Sequence, residues 1–82
     1  MILRILPSAV ADLASGRNFY EQQGEGLGSY FLNTLFADID YHRLLSKRFP
    51  YAIYYRLHDN TVEVWRVLDL RQEPEQIKKA LG

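Results

Sequence analysis

"RFPYAIYYRLHDNTVEVWRVLDLRQEP", residues 48–74, decides the fold. It reads as strand, two-residue turn, strand. "YAIYYRLH" and "TVEVWRVLD" are rich in β-branched and aromatic residues, which suit a half-buried pleated surface. Between them, Asp59-Asn60 tolerates the left-handed backbone that a type I′ turn needs. That turn predicts the register. One face pairs His58 with Thr61, Arg56 with Glu63, Tyr54 with Trp65 and Ala52 with Val67. The other pairs Leu57 with Val62, Tyr55 with Val64, Ile53 with Arg66 and Tyr51 with Leu68. The charge pair and the aromatic pair, each contributing about 0.2–1 kcal/mol, support this alignment.

The two faces differ in chemistry. Tyr51, Ile53, Tyr55, Leu57, Val62, Val64 and Leu68 form an apolar side, expected to cover the helices. On that reading Leu57→Asp unfolds so thin a core. Arg66 is the misfit there, expected near an edge with its guanidinium in water. Tyr54, Arg56, Glu63 and Trp65 give the opposite side the composition of an interface hot spot. Either a partner docks on it or the last helix folds over it.

Upstream, "MILRIL" is a short strand stopped by Pro7. "PSAVADLASGRNFYEQQG" is a helix, with Ser8 as its cap, Asp12 in an early turn and Gly24 as its stop. Val10, Leu13, Ala14 and Arg17 lie along one side, continued by Ala9, Leu13 and Tyr20, and Gly16 weakens the interior. "EGLGSYFLNTLFADID" is a second helix with a wide apolar face: Leu27, Tyr30, Phe31, Leu32, Leu35, Phe36 and Ile39. "YHRLLSKRF" alternates imperfectly as a strand up to Pro50, and "EPEQIKKALG" is a short helix with Pro74 in its first turn. The expected class is α+β, in the order β-α-α-β-β-β-α, with a helical hairpin on an antiparallel sheet.

The 82 residues are read as one domain, 1–82. There is no cysteine, so no disulfide and no thiolate metal site, and two histidines, His42 and His58, are too few for a zinc centre. No cofactor is expected. No apolar run is long enough to cross a membrane and nothing reads as a signal peptide, so a cytoplasmic protein is expected. Charge is uneven around a net of zero: residues 1–40 carry −3 and residues 41–82 carry +3. That balance argues against phosphate-backbone binding and for an acidic protein partner to the second half.

Four short motifs carry a resemblance across nearly the whole chain. They are Phe19-Tyr20-Glu21, Gly26-Leu27-Gly28, Arg48-Phe49-Pro50-Tyr51 and Arg71-Gln72-Glu73-Pro74. In this order they resemble the ParE branch of the ParE/RelE toxin superfamily of bacterial type II toxin–antitoxin systems. The resemblance implies a toxin that inhibits DNA gyrase by binding. It also implies a cognate antitoxin that neutralises the toxin in a hetero-oligomer. Target contacts are assigned on this basis to Arg48, Arg56, Arg71, Lys78 and Lys79, and antitoxin contacts to Tyr54, Trp65, Arg66 and Arg43. The RelE branch cuts messenger RNA on the ribosome, using a phosphate-holding arginine and an acid/base residue. The matching positions here are Ala52, Asp69 and Ile77, so no ribonuclease and no direct nucleic-acid binding are expected. A degenerate ribonuclease and an inactive antitoxin-binding remnant are the alternatives. The chain departs from the family where Asp40 runs straight into Tyr41. Relatives carry a further stretch at this point, so either a gap or a strained join is expected.

Overall fold

The computed structural model describes residues 2–82; Met1 lies outside the described residues. The elements are β1 (Ile2–Ile5), α1 (Pro7–Gln23), α2 (Leu27–Asp40), β2 (Tyr51–His58), β3 (Thr61–Asp69) and α3 (Pro74–Leu81). The sheet order is β1-β3-β2. The two helices α1 and α2 form the expected hairpin and pack on one face of this sheet, and the α+β class holds.

Two features of the sheet correct the sequence reading. First, it is mixed: β2 and β3 are antiparallel, but β1 runs parallel to β3, with Ile2 opposite Thr61 and Ile5 opposite Val64. The long crossover through both helices returns the chain in the same sense, which four residues cannot encode by themselves. Second, three strands form rather than four. Residues 44–46 do run beside β2, with Ser46 N–H donating to Tyr51 C=O and Ile53 N–H to Leu44 C=O at 2.8 Å, but the pairing stops at an isolated bridge between Leu45 and Ala52.

The Asp40–Tyr41 join is a regular helix stop. His42 N–H donates to Ile39 C=O and Arg43 N–H to Asp38 C=O, both at 2.9 Å, with His42 at φ 55°. This is the Schellman pattern, in which a left-handed residue turns the chain out of the helix. The buried Asp38 then gathers the loop: its carboxylate accepts from Ser46 Oγ at 2.8 Å and Lys47 N–H at 3.3 Å, with Arg43 Nε at 3.4 Å. The expected gap is absent, and the only left-handed backbone at the join is that of His42.

The hairpin register is as read near the turn and shifts by one beyond it. His58, Leu57, Arg56 and Tyr55 pair with Thr61, Val62, Glu63 and Val64. A β-bulge at Trp65 follows, so Tyr54 pairs with Arg66, Ile53 with Val67, Ala52 with Leu68 and Tyr51 with Asp69. The extra residue puts Val67 on the core in place of Arg66, and it removes the Tyr54–Trp65 pair. In the turn only Asp59 takes positive φ, so it is not type I′.

The core consists of Ala9, Leu13, Phe31, Leu35, Ile39, Tyr51, Ile53, Val64 and Val67, with Tyr55 packed against it. On α1 the buried side is Ala9, Leu13 and Gly16; Val10, Ala14 and Arg17 face solvent. On α2, Leu27, Tyr30 and Phe36 are exposed, and Gly28 and Asp38 join the buried face. Leu57, expected to seal the core, sits past its end and is 69 % exposed. Leu57→Asp is therefore expected to change stability by no more than about 0.5 kcal/mol. A urea titration against wild type checks this, and an unfolded variant would contradict it.

Candidate functional site

The four motifs meet in space around Phe19-Tyr20-Glu21, and their meeting is structural. Glu21, late in α1, accepts from Gly28 N–H at 2.9 Å and Gly26 N–H at 3.2 Å. These donors would otherwise be unsatisfied at the start of α2. Gly28 has no room for a side chain, because a Cβ there would lie 2.8 Å from Arg17 C=O. The N–H of Gly26, and after it that of Gly28, holds the Glu21 carboxyl below the usual carboxylate range. A depressed carboxyl contributes stability above its unfolded value and loses it as pH falls through the folded one. Below about pH 4 the wild type is thus expected to lose melting temperature faster than Glu21→Gln. Equal acid slopes would contradict the role of Glu21.

The Arg71 motif closes the far end of the sheet. Asp69, at the end of β3, accepts from Arg71 Nε at 2.9 Å, from Nη2 at 2.7 Å and from its backbone N–H at 2.9 Å. The same guanidinium lies 5.0 Å from the Phe19 ring centroid and 5.7 Å from that of Tyr20. Tyr20 stacks on Phe31 at 5.1 Å and meets Phe49 edge-on at 4.8 Å. The Arg71 side chain holds the Asp69 carboxyl low, and Asp69 in turn raises the Arg71 pKa further. Burial, followed by the Asp69 charge, pushes the Tyr51 phenol up to about 12. None of the three is poised to move a proton near neutral pH.

Beside this end is a hollow of about 320 Å³ lined by Ser15, Phe19, Tyr51, Asp69, Gln72 and Ala80 among others. Its wall carries a second closed pair. Arg66 Nε and Nη2 meet Asp12 Oδ2 and Oδ1 at 2.7 and 2.8 Å, Arg66 Nη1 donates to Ala80 C=O at 2.8 Å, and Val67 N–H donates to Asp12 at 2.9 Å. Arg66 does not reach for water as expected: it ties α1, β3 and α3 together. Nor does Ser8 cap α1; its hydroxyl donates to Trp65 C=O instead. β1 ends at Ile5, and α1 supplies the partners that the edge of β3 loses beyond it.

The predicted contact residues fall on separate surfaces. Arg56 lies on the sheet face away from α1 and α2, 3.1 Å from the buried Glu63 and 5.5 Å from the Trp65 ring, with Tyr54 half-buried on the same strand. Arg71 sits beyond the end of β3, at least six strand residues, or about 20 Å, from the level of Glu63. Arg48 and Arg43 line a different hollow beside α2. Lys78 and Lys79 are exposed in the last turn of α3. The five target candidates therefore do not form one patch. Ala52 is buried. His58 is exposed and His42 serves the helix stop.

Asp12, Glu21 and Asp38 were missed as organising residues. A signal for the first was present: a lone arginine in an apolar strand demands a carboxylate from another element. Among the described residues no cluster of His, Asp and Glu could hold a metal ion, and no helix is long and apolar enough to cross a membrane. No protein-family model, curated protein or solved structure matches the chain.

Proposed function

We propose that this chain is the toxin of a bacterial type II toxin–antitoxin pair, ParE-like, that inhibits DNA gyrase by binding and is neutralised by a cognate antitoxin. The observation that carries the reading toward a binder is the closure of the charged groups around the sheet-end hollow. Asp69 is held by Arg71 and Asp12 by Arg66, and the Tyr51 phenol stays protonated. Such groups hold a surface in shape but do not exchange protons with a substrate. The half-exposed Arg71 above Phe19, with Lys78 and Lys79 on α3, supplies cations for the target. The Trp65–Arg56 face, with Tyr54 beside it, supplies the aromatic and cationic character that an acidic antitoxin segment would meet. Arg66, occupied by Asp12 and Ala80, serves that face as an anchor.

The test is induced expression in a bacterial host, alone and with a co-encoded antitoxin, with growth and translation-coupled mRNA cleavage scored together. Growth arrest without mRNA cuts, relieved by the antitoxin, is the expected result. Ribosome-dependent cuts would overturn it in favour of the ribonuclease. No arrest, with the antitoxin still bound, would leave an antitoxin-binding remnant.

A further inference from the structure

The outer edge of β2 is covered over only part of its length. β2 borders the sheet, and successive residues of a strand point their backbone groups to opposite sides. Ser46 N–H donates to Tyr51 C=O and Ile53 N–H to Leu44 C=O, so the N–H and C=O of Tyr51, Ile53, Tyr55 and Leu57 point outward. The loop covers the first two of these residues. Among the described residues, no backbone group bonds Tyr55 or Leu57 from the outer side. The other border strand, β1, is blunted by its length of 4 residues and by the exposed Arg4. The bare end of β2 has no proline or lysine to guard it, and the Leu57 side chain stands in solvent beside the open groups.

The bare stretch is bounded at both ends. On one side the loop at Leu44 occupies the line of the edge; on the other the chain turns away at Asp59-Asn60. A long strand running past β2 would collide with the loop. A hairpin tip, which leaves the line of the edge at its own turn, would not. The tip of β2 and β3 is such a hairpin, so a second copy of this chain fits the gap. Set antiparallel about a two-fold axis at Leu57, the two copies place Leu57 against the partner's Leu57, and their N–H and C=O groups exchange bonds. Tyr55 C=O then meets the N–H of the partner's Asp59. On the other face Arg56 comes opposite the partner's His58. Each of these basic side chains brings its own carboxylate: Arg56 Nε lies 3.1 Å from Glu63 and His58 Nε2 lies 3.7 Å from Asp59. An axis at Arg56 would instead set that arginine against its own copy, which like charges opposite one another disfavour.

We infer that this chain forms a two-fold dimer through the bare end of β2, antiparallel about Leu57, with one continuous sheet in the order β1-β3-β2-β2-β3-β1. The patch is small, so the dimer belongs with the low-area, concentration-dependent contacts. It uses neither the sheet-end hollow nor α3 and goes beyond the toxin reading.

The test is sedimentation velocity of the purified chain from about 10 μM to about 1 mM, the range in which weak pairs assemble. The wild-type mass is expected to rise toward that of a dimer. Leu57→Asp, which sets two carboxylates against each other at the axis, should stay monomeric throughout. Val10→Asp, which removes an equally solvent-facing apolar side chain from α1, should dimerise as wild type does. Urea midpoints at the lowest concentration show that both variants are folded. A third readout needs no variant: in a mixture of isotope-labelled and unlabelled chain, intermolecular NOEs are expected between the Hα atoms of Arg56 and His58, which this register brings together. A monomer at the highest concentration, a dimer that Leu57→Asp leaves intact, or intermolecular NOEs confined to other surfaces would each overturn the inference. None of these outcomes bears on growth arrest, so this inference and the toxin reading fail separately.

Discussion

Asp12→Ala is expected to destabilise the chain by about 3 kcal/mol or more, the cost of leaving one member of a largely buried ion pair alone. Asp12 and Arg66 side chains are only 14 % and 24 % exposed. Without the carboxylate, Arg66 keeps Ala80 C=O as its one hydrogen-bond partner, and Val67 N–H loses its acceptor on an edge that β1 no longer covers. An unmade backbone hydrogen bond in a partly buried place adds about 1–3 kcal/mol. Native stability for a chain of this size is only about 4–12 kcal/mol, so the variant should approach the unfolding threshold. Arg66→Met, which removes the charge but keeps the apolar stem, is expected to cost less, because Asp12 still accepts from Val67. Urea unfolding of both variants and of the double variant measures the coupling. An additive double variant would contradict the pairing, since residues in contact show non-additive effects of about 0.5–3 kcal/mol.

Phe31→Ala is expected to cost about 3–5 kcal/mol, the usual range for deleting a core aromatic ring. Phe31 is fully buried and sits against the rings of Tyr20, Phe49 and Tyr51 at 5.0–5.1 Å. These rings bring α1, α2 and the start of β2 to one point, and few other large side chains are fully buried. At about 4–8 °C per kcal/mol for a domain of this length, the melting temperature should fall by more than about 12 °C. Gly16 belongs to the same contact: a Cβ there would lie 2.5 Å from Phe31 Cζ. Gly16→Ala should therefore lose the roughly 1 kcal/mol that alanine normally adds inside a helix, and destabilise instead. A stabilised Gly16→Ala would show that Phe31 has room to move.

These residues also mark what the sequence could and could not convey. The helices and the hairpin were legible because their signals are local: alternation in residues 51–58 and 61–69, a turn at Asp59-Asn60, Gly24 as a stop, Pro74 as a start. The bulge at Trp65 was not legible. Its cause is tertiary: Asp12 and Ser8 of α1 take Val67 N–H and Trp65 C=O, and no pairing rule within the hairpin contains them. The parallel sense of β1 and the missing fourth strand have the same origin. Asp38, which nothing in the local pattern marks, ties Ser46 and Lys47 back to α2, and pairing of the loop 41–49 with β2 stops at the single bridge of Leu45. At the candidate sites the residue types were legible but their grouping was not. Arg66 was read as a solvent-reaching cation and is an internal clasp; Arg56 and Arg71 were read together, yet Arg56 is on β2 near the hairpin turn and Arg71 lies past the far end of β3.

The measurement that bears most directly on the proposed function is DNA supercoiling by purified gyrase with increasing amounts of the purified chain. Loss of supercoiling with accumulation of cleaved DNA is expected, reversed by a cognate antitoxin and weakened by Arg71→Ala in a chain that still folds. Untouched gyrase at every concentration, with ribosome-dependent mRNA cleavage by the same sample, would contradict it.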